Sequence, residues 1–161
     1  MPSLVQMAGP VGALLKERGQ TVAVSESAAG GIVSAALLSV PGASAYFVGG
    51  GSVYTQTARR GILRFNDAKA EMQGATEEYA TLAATAIRDI LETDWAISES
   101  GAAGPTGNRY GNPAGYVALA VVGPSSATRV VQTGNDDRED NMWTFAQAAL
   151  DLLHETIKAS S

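Results

Sequence analysis

A three-layer α/β/α sandwich on a mostly parallel five-stranded sheet is the architecture the sequence predicts, and three observations predict it. Short apolar runs alternate along the chain with stretches whose apolar residues recur at helical spacing. Two of those runs end in a polar tip followed by glycines: Ser25-Glu26-Ser27 before Gly30-Gly31, and Glu99-Ser100 before Gly101 and Gly104. That is where an α/β sheet keeps its ligand site. The 161 residues are 45% hydrophobic and 17% charged, enough for a real core, so one domain over residues 1–161 is expected.

Leu4 to Arg18 has helical spacing and Gly19 stops it, while Pro10 either kinks that helix or opens a shorter one. Thr21 to Val24 alternates as a short buried strand. A small-residue helix, Gly31 to Ser39, follows and ends at Val40-Pro41-Gly42. Tyr46 to Tyr54 reads as a second strand, in which Gly49-Gly50-Gly51 predicts a bulge or the close approach of another segment. Ser44 and Tyr54 then stand at its two ends. Thr55 to Leu63 and Asn66 to Gln73 read as short helices. Thr76 caps a long one, with Glu77 and Glu78 in its positive first turn and Ala80, Ala83, Ala84, Ile87 and Leu91 facing inward.

Trp95 to Ser98 is the third strand, and the loop after it runs on to Pro113, long enough to suggest function. Tyr116 to Val122 and Thr128 to Thr133 alternate as strands around the hairpin Gly123-Pro124-Ser125-Ser126. Arg138 to Lys158 closes the chain as an amphipathic helix, with His154 near its carboxyl-terminal dipole.

Composition narrows the function. A formal net charge of -5 and the lack of any basic run argue against a nucleic-acid surface. With no cysteine and one histidine there is no thiolate site, no His-rich metal site and no Ser-His relay. The Asp-rich segment from Gly134 to Asp140 lacks the glycine and terminal glutamate of a calcium loop. No cofactor is expected. Apolar runs break well before about 18 residues and no basic leader precedes one, so the expectation is a cytoplasmic chain without a membrane span. A homo-oligomer is the default expectation.

The stretch Thr21 to Gly31 is the first candidate site, because backbone N–H groups at a helix start favour a phosphate or a developing oxyanion. The plain alternative is a tight strand-to-helix turn with a serine cap. In the long loop, Arg109 and Tyr110 have the chemistry to pair with and stack on a nucleotide.

Four motifs occur in order: Ser-Glu-Ser-Ala-Ala-Gly-Gly from Ser25, Pro-Gly-Ala-Ser-Ala-Tyr-Phe from Pro41, Val-Tyr-Thr-Gln-Thr-Ala-Arg from Val53 and Gly-Ala-Ala-Gly-Pro-Thr-Gly from Gly101. In them the chain resembles the carboxy-terminal domain family of the competence/damage-inducible protein CinA, whose stand-alone members include nicotinamide-mononucleotide deamidases. The resemblance covers nearly the whole chain. It implies a three-layer α/β/α fold with a mixed five-stranded sheet, and hydrolysis of a nicotinamide carboxamide to acid and ammonia without a metal.

Carried over position by position, the resemblance places the nucleophilic serine at Ser44, a tyrosine at Tyr54 and, where the family has lysine, Arg59. Glu26, Ser27, Gly30 and Gly31 match the first motif, while Ala28 and Ala29 replace its Cys and Thr. Gly101, Gly104, Pro105 and Gly107 match the glycine loop, so the substrate-binding candidates are Glu26, Ser27, Gly30, Gly31, Gly101, Ala103, Gly104 and Arg109. Deamidases also carry basic residues before the last helix; here Asp136, Asp137, Asp140 and Asn141 surround Arg138 alone, which removes an obvious phosphate partner.

Amide hydrolysis by a serine needs a base, oxyanion donors and a proton for the leaving ammonia. A buried lysine can lose its proton, whereas arginine stays charged. A base for Ser44 is then Tyr54 as phenolate, helped by Arg59, or Glu26. Each residue also has a plainer account: Ser44 as a turn cap, Tyr54 as a strand-end aromatic, Arg59 as a solvated helix charge. The expected partner is a small molecule, with a pyridine nucleotide as the candidate. Binding without hydrolysis, or a ligand-free oligomeric partner domain, are the alternatives.

Overall fold

The computed structural model describes residues 1–161. Helix α1 (Leu4–Arg18) opens on Ser3, whose hydroxyl accepts the Gln6 N–H while the Gln6 side chain accepts the Ser3 N–H. It closes at Gly19 in the left-handed conformation. Pro10 lies inside this helix on its exposed side, where water can take the carbonyl that loses its N–H partner.

Five strands follow: β1 (Val22–Glu26), β2 (Phe47–Ser52), β3 (Trp95–Ala102), β4 (Tyr116–Val122) and β5 (Ala127–Gln132), in the sheet order β2-β1-β3-β4-β5. β1 pairs parallel with β2 and β3, and β4 antiparallel with β3 and β5, so the sheet is mixed and only β4 runs against the others. Five more helices complete the chain: α2 (Ile32–Ser39), α3 (Gln56–Gly61), α4 (Asp67–Ala70), α5 (Glu77–Leu91) and α6 (Arg138–Ala159).

Strand alternation sorts two cores. Val22, Val24, Trp95, Ile97, Leu119 and Val121 point into the layer of α1, α2 and α6, among Leu15, Leu37, Phe145 and Leu153. Ala23, Ala96, Ala118 and Ala120 point the other way, and their small side chains let α5 lie close with Tyr79, Ala83 and Ile87. Each fully buried Leu, Ile or Phe contributes about 1.5–3 kcal/mol. No helix is long and apolar enough to cross a membrane.

Several boundaries differ from the sequence pattern, most of all in β1, β2 and β3. β1 and β3 extend through their polar tips, because Ser25, Glu26, Glu99 and Ser100 stay in register with neighbouring strands. β2 starts after Tyr46, whose hydroxyl donates to the Leu37 carbonyl at 2.5 Å and whose ring is fully buried. It also ends before Tyr54. The glycine run does mark a close approach: a Cβ at Gly50 would lie 2.5 Å from the Val24 carbonyl.

Candidate functional site

The parallel strands β1, β2 and β3 end on the same side of the sheet, and the turn after β1 is the first thing there. Glu26, 1% exposed, folds its carboxylate back over the start of α2: Oε1 accepts the N–H groups of Gly31 and Val33, and Oε2 that of Ser34, at 2.9–3.0 Å. Glu99 rises from β3 beneath the same turn, and its Oε1 accepts the N–H groups of Ser27 at 2.5 Å and Ala29 at 2.7 Å. Gly30 and Ile32 donate to carbonyls within the turn. These donors, expected to receive a ligand's anion, are therefore taken by the chain's own carboxyls. The positive end of α2 makes that arrangement favourable.

What opens beside this turn is a cleft of about 430 Å³ lined by Ser27, Tyr54, Arg59, Ser100, Arg109 and Tyr110, among others. A second cavity of about 260 Å³ continues along the glycine loop to Arg138 and shares Tyr54, Gly101 and Asn108 with the first. Three arginines and no carboxylate, lysine or histidine line the two together, a local reversal of the chain's overall negative charge. Tyr54 stands 60% exposed between them.

Arg59 is held rather than free. Its Nη1 donates to the carbonyls of Ala70 at 2.9 Å and Met72 at 2.8 Å, and its guanidinium lies 4.1 Å from the centre of the Tyr79 ring. Burial pushes the Tyr79 phenol up, with Arg59 opposing. Arg59 thus ties the segment after α4 to α5 while presenting one edge to the cleft.

Arg138 is the charge that reaches into the small cavity. It is the first residue of α6, which Asp137 caps by accepting the Asp140 N–H, and its side chain turns back to donate to the Gly104 carbonyl and, at 3.1 Å, to the Tyr54 hydroxyl. Asn141, one helical turn on and fully buried, donates to the carbonyls of Ala103 and Asn135 and pins the glycine loop to α6. A side chain at Gly104, whose φ is 118°, would meet the Asp136 carbonyl at 2.5 Å. In this loop the N–H groups of Gly104, Thr106 and Gly107 bond to no other atom of the chain. The acidic segment does not remove the basic partner, because Asp137 is engaged at the helix start and none of the carboxylates of Asp136, Asp137 and Asp140 lines the cleft.

Of the residues singled out in the sequence, the structure gathers Ser27, Tyr54, Arg59, Gly101 and Arg109 around the larger cleft and Ala103 and Gly104 around the smaller. Ser44 is not among them. It is exposed in the 3₁₀ turn Ala43–Ala45 ahead of β2, at the end of the sheet away from Tyr54 and a strand length of about 17 Å off. Glu26, Gly30 and Gly31 line neither cavity, since their turn closes on itself. Ser27 is the serine that shares the cleft with Tyr54 and Arg59.

Glu99, Ser100, Asn108 and Arg138 were passed over as site residues. Period-two alternation continued past Ser98 places Glu99 under the β1–α2 turn and Ser100 on the α5 side, where its hydroxyl accepts the Ala75 N–H. The first position of the last helix was the available signal for Arg138.

The model of the CinA C-terminal domain matches residues 4–157. The chain belongs to this family. It is 36% identical over 158 residues to a CinA-like protein of Synechocystis sp. and 41% identical over 115 residues to one of Acaryochloris marina, covering 96% and 71% of this chain. It spans only 38% and 27% of those relatives' lengths. A crystal structure of a CinA superfamily protein from Klebsiella pneumoniae superposes with a TM-score of 0.89 at 26% identity, over 98% of this chain and 99% of that one. A CinA C-terminal domain therefore accounts for the mixed sheet and its helical layers.

Proposed function

We propose that this CinA C-terminal domain binds a phosphate-bearing pyridine nucleotide in the cleft and does not hydrolyse its carboxamide at a deamidase's rate. The observation that carries the reading is the lining: three guanidinium groups, two tyrosines and open loop N–H groups, with no carboxylate and no lysine or histidine. Arg138 and the N–H groups of Gly104, Thr106 and Gly107 suit a phosphate. Tyr54, largely exposed, offers a face to a pyridine ring, Arg109 lies 4.9 Å over the Tyr110 ring and donates to its hydroxyl, and the Ser27 hydroxyl suits the amide.

Hydrolysis would need Ser27 to lose its proton as it attacks the amide carbon. Arg59, the residue at the family's lysine position, keeps its own proton and is bound to two carbonyls and the Tyr79 ring. A second reading keeps the enzyme. The Arg138–Tyr54 hydrogen bond favours it, since it holds the phenol oxygen that would act as the base at the junction of the two cavities. Tyr54 would take the Ser27 proton as Oγ bonds the amide carbon, and return it to nitrogen as the C–N bond breaks and ammonia leaves. Water would then cleave the acyl-serine ester.

Calorimetry and an ammonia assay with nicotinamide mononucleotide separate the two. Binding with no ammonia above the buffer rate is expected, and Arg59→Lys should release measurable ammonia if the missing base is what limits the chain. Steady turnover by the unaltered protein, abolished in Tyr54→Phe, overturns the first reading in favour of the second.

A further inference from the structure

Glu99 is a buried acid that none of this chemistry uses. On β3, Trp95 and Ile97 point into the apolar layer of α1, α2 and α6, and the same alternation sends the Glu99 carboxyl there, 2% exposed. Its Oε1 accepts two N–H groups, from Ser27 and Ala29, while its Oε2 is buried and accepts no well-formed hydrogen bond, the Ala28 N–H lying near the carboxyl without bonding that oxygen. Its neighbour Glu26, by contrast, has both oxygens bonded. Two carboxyls from adjacent strands thus hold one turn, the turn that carries Ser27 to the cleft, and only one of them is fully satisfied.

A buried carboxylate oxygen without a donor is expensive, and the expense falls when the group takes a proton. Burial, together with the charge of Glu26, pushes Glu99 up to about 7, against the pull of the Ala29, Ser27 and Ala28 N–H groups. The groups facing it are few. Glu26 comes from β1, and the Tyr79 phenol of α5, which carries Arg59 on its ring, feels the charge of Glu99 from across the sheet. α2 has no ionisable residue, and the residues α6 buries at its amino-terminal end are Asn141 and Phe145. No cation sits against Glu99 to hold it ionised.

We propose that Glu99 is the positioning residue of the Ser27 turn, holding it firmly as a carboxylate and more loosely as an acid, and that it takes up a proton when an anion enters the cleft. This rests on the anion-binding reading above. An anion on the other side of the Ser27 turn adds negative charge near the carboxyl and favours its neutral form. The effect is reciprocal: the protonated protein binds the anion more tightly, so affinity falls as pH rises through 7. Protonation also weakens the N–H bonds of Ser27 and Ala29, because a neutral carboxyl is a poorer acceptor than a carboxylate.

The test is an amide ¹⁵N–¹H titration of the whole chain from pH 5.5 to 8.5, with chloride and then with sulfate at matched ionic strength. Sulfate is the probe because it does not titrate in this range. The Ser27 and Ala29 amides should move together with one midpoint near 7, and this should vanish in Glu99→Gln and in Glu99→Met, which keeps the volume without hydrogen-bonding oxygens. Sulfate should displace the Arg138 and Gly104 signals and raise the midpoint by about half a unit, a roughly three-fold change in proton affinity. Amides that do not titrate, or titrate equally in both variants, overturn the role of Glu99. Sulfate signals without a midpoint shift overturn the coupling alone. Sulfate that moves nothing overturns the anion-binding reading and the coupling with it, while the titration in chloride still decides the positioning role.

Discussion

The two strand exits of this domain look alike in sequence and behave in opposite ways. Residues 25–31 and 99–107 each put polar residues ahead of glycines. In the first, Glu26 and Glu99 occupy the backbone donors, and the turn is sealed from below by the protein's own charge. In the second, Asn141 and Arg138 take carbonyl oxygens, and the cavity-lining Gly104, Thr106 and Gly107 keep N–H groups that bond nothing in the chain. A glycine-rich turn is thus an anion site only where no carboxyl of the chain already fills it.

Breaking the sealed exit should have the largest effect on stability. Glu26→Ala strands three N–H groups at the start of α2, and a loss of about 3–5 kcal/mol is expected, seen as a fall in melting temperature of roughly 10 °C. If the melting temperature hardly moves, the seal is not structural.

Glu99 should then show itself in the pH dependence of stability. Its folded pKa lies above the ordinary value, 4.5 against about 7, so the folded state holds the proton more tightly and stability is lost as pH rises from 4.5 through 7. At about 1.4 kcal/mol for each pH unit between those values, the loss is on the order of a few kcal/mol. Urea denaturation from pH 5 to 8 should show this slope, which Glu99→Gln flattens; an equal slope in the variant removes Glu99 as its source.

The open exit should respond in the reverse sense. Arg138 is exposed, so Arg138→Ala should leave the melting temperature of the free protein nearly unchanged while weakening nicotinamide mononucleotide binding about 10- to 100-fold by calorimetry. Loss of stability with unchanged affinity would assign Arg138 to the scaffold.

The smallest effect expected is in Arg59→Lys, which loses the two-carbonyl fork and the flat contact on Tyr79, costing about 1–2 kcal/mol in urea denaturation. No change there would mean the fork carries nothing.

The fold was readable because its cues are local and repetitive. Helix caps at Thr76 and Gly19, the alternation of β5 and the close approach at Gly50 all follow from side-chain size, period and backbone freedom. The site was half readable. Tyr54, Arg59, Ser27 and the glycine loop line the two cavities, but Ser44 does not, since a residue before a strand and one after it lie at opposite ends of it. The strand bounds alone separate the two residues, whatever the motif resemblance implies. The direction of Arg138 and the occupation of the first turn's donors were not readable, because both depend on which side chain of a distant element arrives first. Asp137 next to Arg138 looks like neutralisation in sequence and proves to be a helix cap.

A crystal structure of the domain with nicotinamide mononucleotide tests the central contrast most directly. The phosphate should lie on Arg138 and the N–H groups of Gly104, Thr106 and Gly107, with Glu26 and Glu99 still bonded to the first turn. A phosphate seated on Gly31, Val33 and Ser34, with the Glu26 carboxylate swung away, would contradict it.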